Sequence, residues 1–330
     1  MMTVTAGILA GNSCIVKPPY RLPISTFEIV KIFYTIAKKS GFPPGVINMV
    51  VGSGSVVVRE WMDNRNINGI VFYGSSHTGL KVGAEATANY KKTILELSGN
   101  DACLIWKDAN LEDAVDNVMN ARFTGSGQVC IAIKRLYVHK DVYGEVVDMI
   151  LSQVRKLKVG LPSDVSSSQG PIGSIEEVHH LKDVIDDALK YGGRIICGGK
   201  QVDCQGHHDK LGLFFEPTIV VGVNHKMRII REETFGPLLP IMKIDSLEEA
   251  LSCINDSIYG LRASFWGKDN DVLQAFIKNV NTGGIVVNDS HYFSAIYTPD
   301  LGGVKASGIT GSKYLVEQMC YCQYVHTCNL

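Results

Sequence analysis

Apolar and polar positions along the first third of the chain follow two periods in turn. Pro23 to Lys39 carries Phe27, Val30, Phe33, Ile36 and Ala37 at helical spacing. Ser13 to Lys17, Val46 to Val51, Ile70 to Tyr73 and Thr93 to Leu97 are short apolar runs that read as strands. Val56 to Met62, and a segment running from Gly79 to about Asn89, read as helices. Gly41-Phe42-Pro43-Pro44-Gly45 is a turn. Strands alternating with helices in this way predict parallel strands joined by right-handed crossovers. Ligands bind such sheets at the carboxyl ends of the strands.

The pattern continues as a second α/β unit. Ala102 to Trp106 and Arg135 to His139 read as strands. Between them a helix with Asn110 at its N-cap carries Leu111, Val115, Val118 and Arg122 on one face. Asp141 to Leu157 is amphipathic, with Tyr143, Val146, Val147, Ile150 and Val154 on one side. Ser174-x-x-Glu177 and Ser246-x-x-Glu249 are capping boxes that open two further helices. Arg194 to Cys197, Thr218 to Val221, Leu239 to Ile244, Ala263 to Trp266 and Ile285 to Asn288 are strands. The tail, Cys320 to Cys328, alternates like a strand, and such a strand needs an edge to pair with, as in another subunit.

Composition narrows the function classes. The chain has 330 residues, 45% apolar and 20% charged, with a formal net charge of -1, which suits an ordinary globular protein of two domains or one large one. Without a basic stripe interleaved with aromatics, nucleic acid is not an expected partner. No apolar run approaches the ~18 residues that span a membrane, so no membrane partner is expected. No cationic residue precedes Lys17, and the default expectation is cytoplasmic. Nine scattered cysteines do not form a disulfide framework, and Cys320 and Cys322 would share one face of the tail strand. Cys204-x-x-His207-His208 has half of a metal-ligand spacing without its other half, so no metal is expected.

Two stretches carry candidate chemistry. Phe123-Thr124-Gly125-Ser126-Gly127-Gln128-Val129-Cys130 ends a glycine-rich turn on a cysteine. A thiol there is either a nucleophile open to whatever binds, or a small apolar residue beside a loop. Gly74-Ser75 follows a strand and precedes a helix, whose unpaired N–H groups and positive dipole end suit a phosphate. It reads equally as a plain strand-to-helix turn. The full G-x-G-x-x-G fingerprint is absent, and Gly52-Ser53-Gly54 is only its first half.

Taken in order, several segments resemble the NAD(P)-dependent aldehyde dehydrogenase superfamily. Lys17-Pro18 resembles its cofactor lysine motif, and Gly41 to Asn48 the turn before its second strand. Phe72-Tyr73-Gly74-Ser75 resembles its pyrophosphate loop, and Glu96-Leu97-Ser98-Gly99-Asn100 its general-base motif, with Ser98 for the usual first glycine. Gly127-Gln128-Val129-Cys130 resembles its nucleophile motif, and Glu232-Glu233-Thr234-Phe235-Gly236-Pro237 its nicotinamide-ribose motif. Asn255, Tyr259-Gly260-Leu261 and Gly302-Gly303-x-Lys305-x-Ser307-Gly308 complete the run.

The resemblance implies an α/β, aldehyde dehydrogenase-like fold: a partial Rossmann-type parallel-sheet cofactor domain over residues 1–97, an α/β catalytic domain over 98–306, and a C-terminal segment, 307–330, with an oligomerisation strand. It implies an oxidoreductase that converts an aldehyde to a carboxylic acid through a cysteine thiohemiacetal and thioester. Cys130 would be the nucleophile and Glu96 the base that activates water. Lys17, Gly74, Ser75, Glu233 and Phe235 would bind the cofactor, expected as NAD with NADP also admitted, because Pro19-Tyr20 stands where many members carry a glutamate. The partners implied are a small-molecule aldehyde and, in full-length form, a second copy.

The family is longer, and its N-terminal stretch holds an asparagine that completes the oxyanion hole and a hairpin that pairs with the C-terminal strand. The expectation is therefore a chain that starts inside the cofactor domain, with a catalytically impaired binding or dimerising protein as one alternative and a cofactor-independent thioesterase as another. The Gly-Arg-Glu continuation usual after Ser307-Gly308 is shortened before Gly311-Ser312-Lys313-Tyr314. Substrate choice would lie partly in the loop from His291 to Thr298, whose Tyr292, Phe293 and Tyr297 suit an apolar or aromatic aldehyde.

Overall fold

A computed structural model describes residues 2–209, 211–291, 302–309 and 314–328. Its contacts divide the chain into two units, Met1–Glu96 with Thr310–Leu330, and Leu97–Ile309.

The first unit runs α1 (Met2–Leu9), β1 (Cys14–Val16), α2 (Ile24–Lys39), β2 (Ile47–Met49), α3 (Gly54–Asp63), β3 (Gly69–Tyr73), α4 (Ser76–Ala88) and β4 (Lys92–Glu96). The expected parallel pairing is present, as two separate ladders: β1 pairs with β2 and β3 with β4. With three residues each, β1 and β2 offer few ladder hydrogen bonds beyond their own pair. Val82 and Ala86 of α4 pack with Met62 and Ile70. A short final helix, Leu315–Gln318, seats Leu315 against Ala6 and Ile94. Helix α2 buries only Val30, and Ile24, Phe27, Ile29, Ile32, Tyr34 and Ile36 remain exposed.

The strand expected for the tail does not form among the described residues. Residues 320–328 join no ladder within the chain, and Tyr321, Tyr324 and Val325 stand exposed. Cys320 consequently shares no strand face with Cys322. It caps the preceding turn instead, with its Sγ donating to the Val316 carbonyl.

In the second unit the order is β5 (Asp101–Ile105), α5 (Leu111–Phe123), β6 (Ile133–His139), α6 (Tyr143–Val154), α7 (Ile175–Lys190), β7 (Arg194–Cys197), the short strands β8 (Gln201–Val202) and β9 (Phe214–Phe215), β10 (Thr218–Val221), α8 (Arg228–Arg231), β11 (Leu238–Ile244), α9 (Leu247–Asn255), β12 (Tyr259–Gly260), β13 (Arg262–Trp266), α10 (Asn270–Asn279), β14 (Gly284–Val287) and β15 (Val304–Lys305). Seven strands form one sheet in the order β14-β13-β5-β6-β11-β10-β7, parallel except for β7. Both faces of the central strands are covered, as parallel sheets require. Cys103 and Ile105 enter a core with α5 and α6, while Ala102 and Leu104 face α9 and α10. That alternation is the period-2 pleat of a strand buried on both sides.

Where β5 pairs with β6, Asp101 lies opposite Ile133 and Ala102 opposite Arg135, so Lys134 is the extra residue of a β-bulge. The bulge resets the phase of β6. Ile133 joins Leu136 and Val138 in the α5–α6 core, although they stand an odd number of positions apart.

Helix starts follow the polar signals, with corrections in detail. Ser174 and Ser246 each accept from the N–H three residues on. Their glutamates do not close the boxes: Glu177 accepts from the Phe235 N–H, and Glu249 from the Asp245 N–H. Asn110 occupies the N-cap of α5 but turns its amide to Asp113.

Three consecutive residues after α5 take positive φ: Gly125 (61°), Ser126 (55°) and Gly127 (72°). For Ser126 this costs about 1–2 kcal/mol, and its hydroxyl donates to the Gly170 carbonyl at 2.9 Å. At Gly127 a Cβ would lie 2.3 Å from the Gly236 carbonyl oxygen. Gly127→Ala therefore destabilises the unit by at least about 2 kcal/mol, from the left-handed backbone and the clash together. By contrast, Gly144→Ala at the start of α6, where a Cβ meets nothing within 4 Å, stabilises by about 0.4–1 kcal/mol. Urea denaturation followed by tryptophan fluorescence measures both; equal midpoints for the two variants would refute this account of the turn.

Candidate active site

The second unit holds Cys130, Glu233 and Phe235, and the first holds Lys17, Gly74, Ser75 and Glu96. Cys130 ends the left-handed turn and is exposed. The turn is held from several sides. Gln128 Nε2 donates to the Gly125 and Pro171 carbonyls at 3.2 and 3.1 Å, and its Oε1 accepts from the Gly173 N–H at 2.7 Å. Gln169 donates to the Phe123 carbonyl at 3.0 Å. Arg122, fully buried, donates to the carbonyls of Ile133, Thr234 and Gly236. One guanidinium, on the helix that leads into the thiol turn, thus ties the start of β6 to the Glu232–Pro237 loop.

Lys134 makes a second tie. Its buried ammonium donates to the Val129 and Cys130 carbonyls at 3.0 and 2.6 Å and lies 3.4 Å from Glu233 Oε1. The same oxygen accepts from the Gly99 N–H at 3.0 Å. Gly99 is crowded in turn, since a Cβ on it would lie 2.6 Å from the Cys130 carbonyl oxygen. Cys130, Glu233 and Gly99 therefore converge on Lys134. From α7, His180 Nε2 donates to the Glu233 carbonyl at 3.1 Å and Glu177 accepts from the Phe235 N–H at 2.9 Å.

The electrostatics follow from this packing. Burial pushes the Cys130 thiol up, even though the residue touches solvent; Lys134 and the Ile131 N–H favour the thiolate, while Asp101 and Glu233 oppose it. Burial lowers Lys134, and the carboxylates of Glu233 and Asp101 hold its proton in place. Asp101, itself buried, accepts from the Arg262 N–H at 3.1 Å and lies 3.4 Å from His291 Nε2.

In the first unit, Ser75 caps α4. Its Oγ accepts from the Thr78 N–H at 3.3 Å and donates to Thr78 Oγ1 at 3.0 Å. Gly74 donates to the Glu96 carbonyl at 3.2 Å, and a Cβ on it would press to 2.7 Å from the Phe72 ring. Glu96 ends β4, opposite Tyr73. Lys17 turns its ammonium to the Pro18 carbonyl at 3.0 Å. Within the first unit, α4 opens directly after the tight Gly74, with Ser75 as its cap.

The last motifs prove to be architectural. Ser307 Oγ accepts from the Gly260 N–H, its carbonyl accepts from the Leu97 N–H, and Lys305 donates to the carbonyls of Asn255 and Ser257. His207 lies 3.3 Å from Asp203, His208 Nδ1 meets the Gln201 carbonyl, and no metal-holding cluster occurs among the described residues. Tyr292, Phe293, Tyr297 and Gly311-Ser312-Lys313 lie outside the described residues.

Sequence reasoning missed Lys134, Asp101, Glu177 and His180. A signal for Lys134 existed, a cation inside the apolar run from Ile131 to Val138. Arg122 was visible as a charge on an apolar helix face.

The model of the aldehyde dehydrogenase family matches residues 1–325. The chain is 32% identical to the 3-sulfolactaldehyde dehydrogenase of Priestia aryabhattai, over 94% of this chain and 62% of that protein. It is 33% identical to the NADP(+) succinate-semialdehyde dehydrogenase GabD of Escherichia coli, over 98% of this chain and 66% of that protein. Among solved structures, the glyceraldehyde-3-phosphate dehydrogenase GapN of Methanocaldococcus jannaschii, complexed with NADP, superposes with a TM-score of 0.89 at 32% identity, covering 96% of this chain and 67% of that one. The chain thus spans 62–66% of the length of the curated relatives it matches. With a family match along nearly its whole length and the same α/β fold, the chain belongs to the aldehyde dehydrogenase family.

Proposed function

We propose that this chain carries the thiol centre of an aldehyde dehydrogenase that converts an aldehyde, NAD(P)+ and water to a carboxylate and NAD(P)H. The observation that carries this reading is the Cys130 thiol, exposed at the end of a strained turn whose carbonyls are gripped by a buried cation. Strain of this kind concentrates where a reactive group must be held in one position.

The Cys130 thiolate adds to the aldehyde carbon, and the oxygen that becomes anionic is met by the Cys130 backbone N–H. A nicotinamide cofactor supplies the acceptor for the hydride. Glu96 draws a proton from water, which attacks the acyl carbon and frees the thiol. Lys17 and the α4 start with Gly74 and Ser75 are the residues of the first unit that would hold the cofactor, and Glu233 and Phe235 those of the second. Pro19-Tyr20 puts no carboxylate beside Lys17 to repel a 2′-phosphate, and relatives whose names carry NADP weigh in the same direction. Both cofactors belong in the assay.

A second reading is a binding protein on the same scaffold, favoured by the burial that raises the Cys130 thiol and so disfavours its reactive anion. Calorimetric titration alongside turnover separates the two: cofactor binding without turnover favours it.

Absorbance of NAD(P)H, with a panel including lactaldehyde and succinate semialdehyde, tests the enzyme reading. A folded, cofactor-saturated chain with no signal sinks it. Cys130→Ala lowers turnover by more than about a thousandfold, through loss of the nucleophile. Glu96→Gln keeps a first-turnover burst of NAD(P)H and slows the steady state by about 10²–10⁴; matching burst and steady rates would remove Glu96 from the base role. Because burial raises the Cys130 thiol, kcat/KM climbs as pH rises from about 7 to above about 8.5, the ordinary thiol range. A profile flat across that window contradicts the thiolate step.

A further inference from the structure

We propose that Lys134 is a positioning residue for the Cys130 centre: its ammonium binds the carbonyl end of the thiol turn and the Glu233 carboxylate in one contact, and so holds the thiol nearer its anionic form. This rests on Cys130 being the reactive thiol proposed above.

Two independent observations support it. The first is donor count. An ammonium has three N–H bonds and here meets three oxygens, those of Val129, Cys130 and Glu233. A fully buried cation is tolerated only when satisfied in this way.

The second is the bulge. In an unbroken ladder Lys134 would share a face with Leu136 and Val138, and its charge would enter the α5–α6 core. The extra residue at Asp101/Ala102 gives that place to Ile133 and frees Lys134 for the turn. Bulges re-aim side chains in this manner, and this one aims a cation.

The charged groups that bear on the thiol are Lys134, Asp101, Glu233 and Arg262, with Arg122 bearing on Lys134. Lys134 is the one that also binds the backbone of the nucleophile itself. Glu233 partly neutralises it. Removing Lys134 therefore disfavours the thiolate, and removing the Glu233 charge favours it.

The test is alkylation of Cys130 by iodoacetamide across a pH series, quantified on the Cys130 peptide by mass spectrometry. It needs neither aldehyde nor cofactor, and the peptide readout separates Cys130 from the other exposed thiols. Lys134→Met keeps the stem and loses the charge; its midpoint moves up, and a one-unit move leaves about tenfold less thiolate at neutral pH. Glu233→Gln moves the midpoint down. Where Lys134→Met does not fold, the Glu233→Gln shift alone decides. An unmoved midpoint in either folded variant, including a uniform rate change at every pH, overturns the proposal, since a purely structural prop alters rate without altering titration. Opposed shifts in a chain that oxidises no aldehyde would overturn the enzymatic reading and leave this one standing.

Discussion

A backbone carbonyl taken out of water must find a donor, and the thiol turn of this protein exposes that requirement. Three residues in the left-handed region break the regular ladder, and apart from the Gln128 N–H on the Gly125 carbonyl, the carbonyls around the turn are met by side chains. Arg122 and Lys134 answer with buried cations, and Gln128 and Gln169 with amides. Buried charge is costly on its own. Here the cost is offset because the two cations satisfy five carbonyls, and because Glu233 lies against one of them. The turn, the Glu232–Pro237 loop and the start of β6 are consequently one mechanical object. Removing either partner of such a pair costs about 3–5 kcal/mol, since the other charge is stranded.

The sheet supplies the rigidity behind this arrangement. β5 and β6 are buried along their whole length, so neither can slide without exposing a face. The bulge at Lys134 is the one departure from a regular ladder at that pairing, and it lies directly under Cys130. Regularity fixes where the strands end, and the irregularity fixes which way one side chain turns.

Much of this was legible in the amino-acid order. Apolar periods located the longer strands and most of the helices, because each packs against a core that selects one face, but they left out α1, α10 and the two-residue strands β8, β9, β12 and β15. The serine caps of α7 and α9 were readable because their hydrogen bonds are local. The glutamates of those boxes were not, since Glu177 reaches a residue 58 positions away. Lys134 left one trace, a cation inside an apolar run, but its aim was hidden, because a bulge depends on the partner strand and no local pattern records it. The tail's alternation signals a capacity to pair, whereas pairing needs a partner edge, which the expectation placed outside this chain. Cys130 was visible as a loop thiol, but the grip on its carbonyl was not.

Helix α2 carries a different consequence. Six large apolar side chains along its sixteen residues face water, and only Val30 is covered. Each leaves hydrocarbon hydrated that folding would ordinarily bury, at roughly 25 cal/mol per Å². Covering such a stripe takes that hydrocarbon out of water, so the stability of the first unit depends on what lies against α2 as well as on its own core.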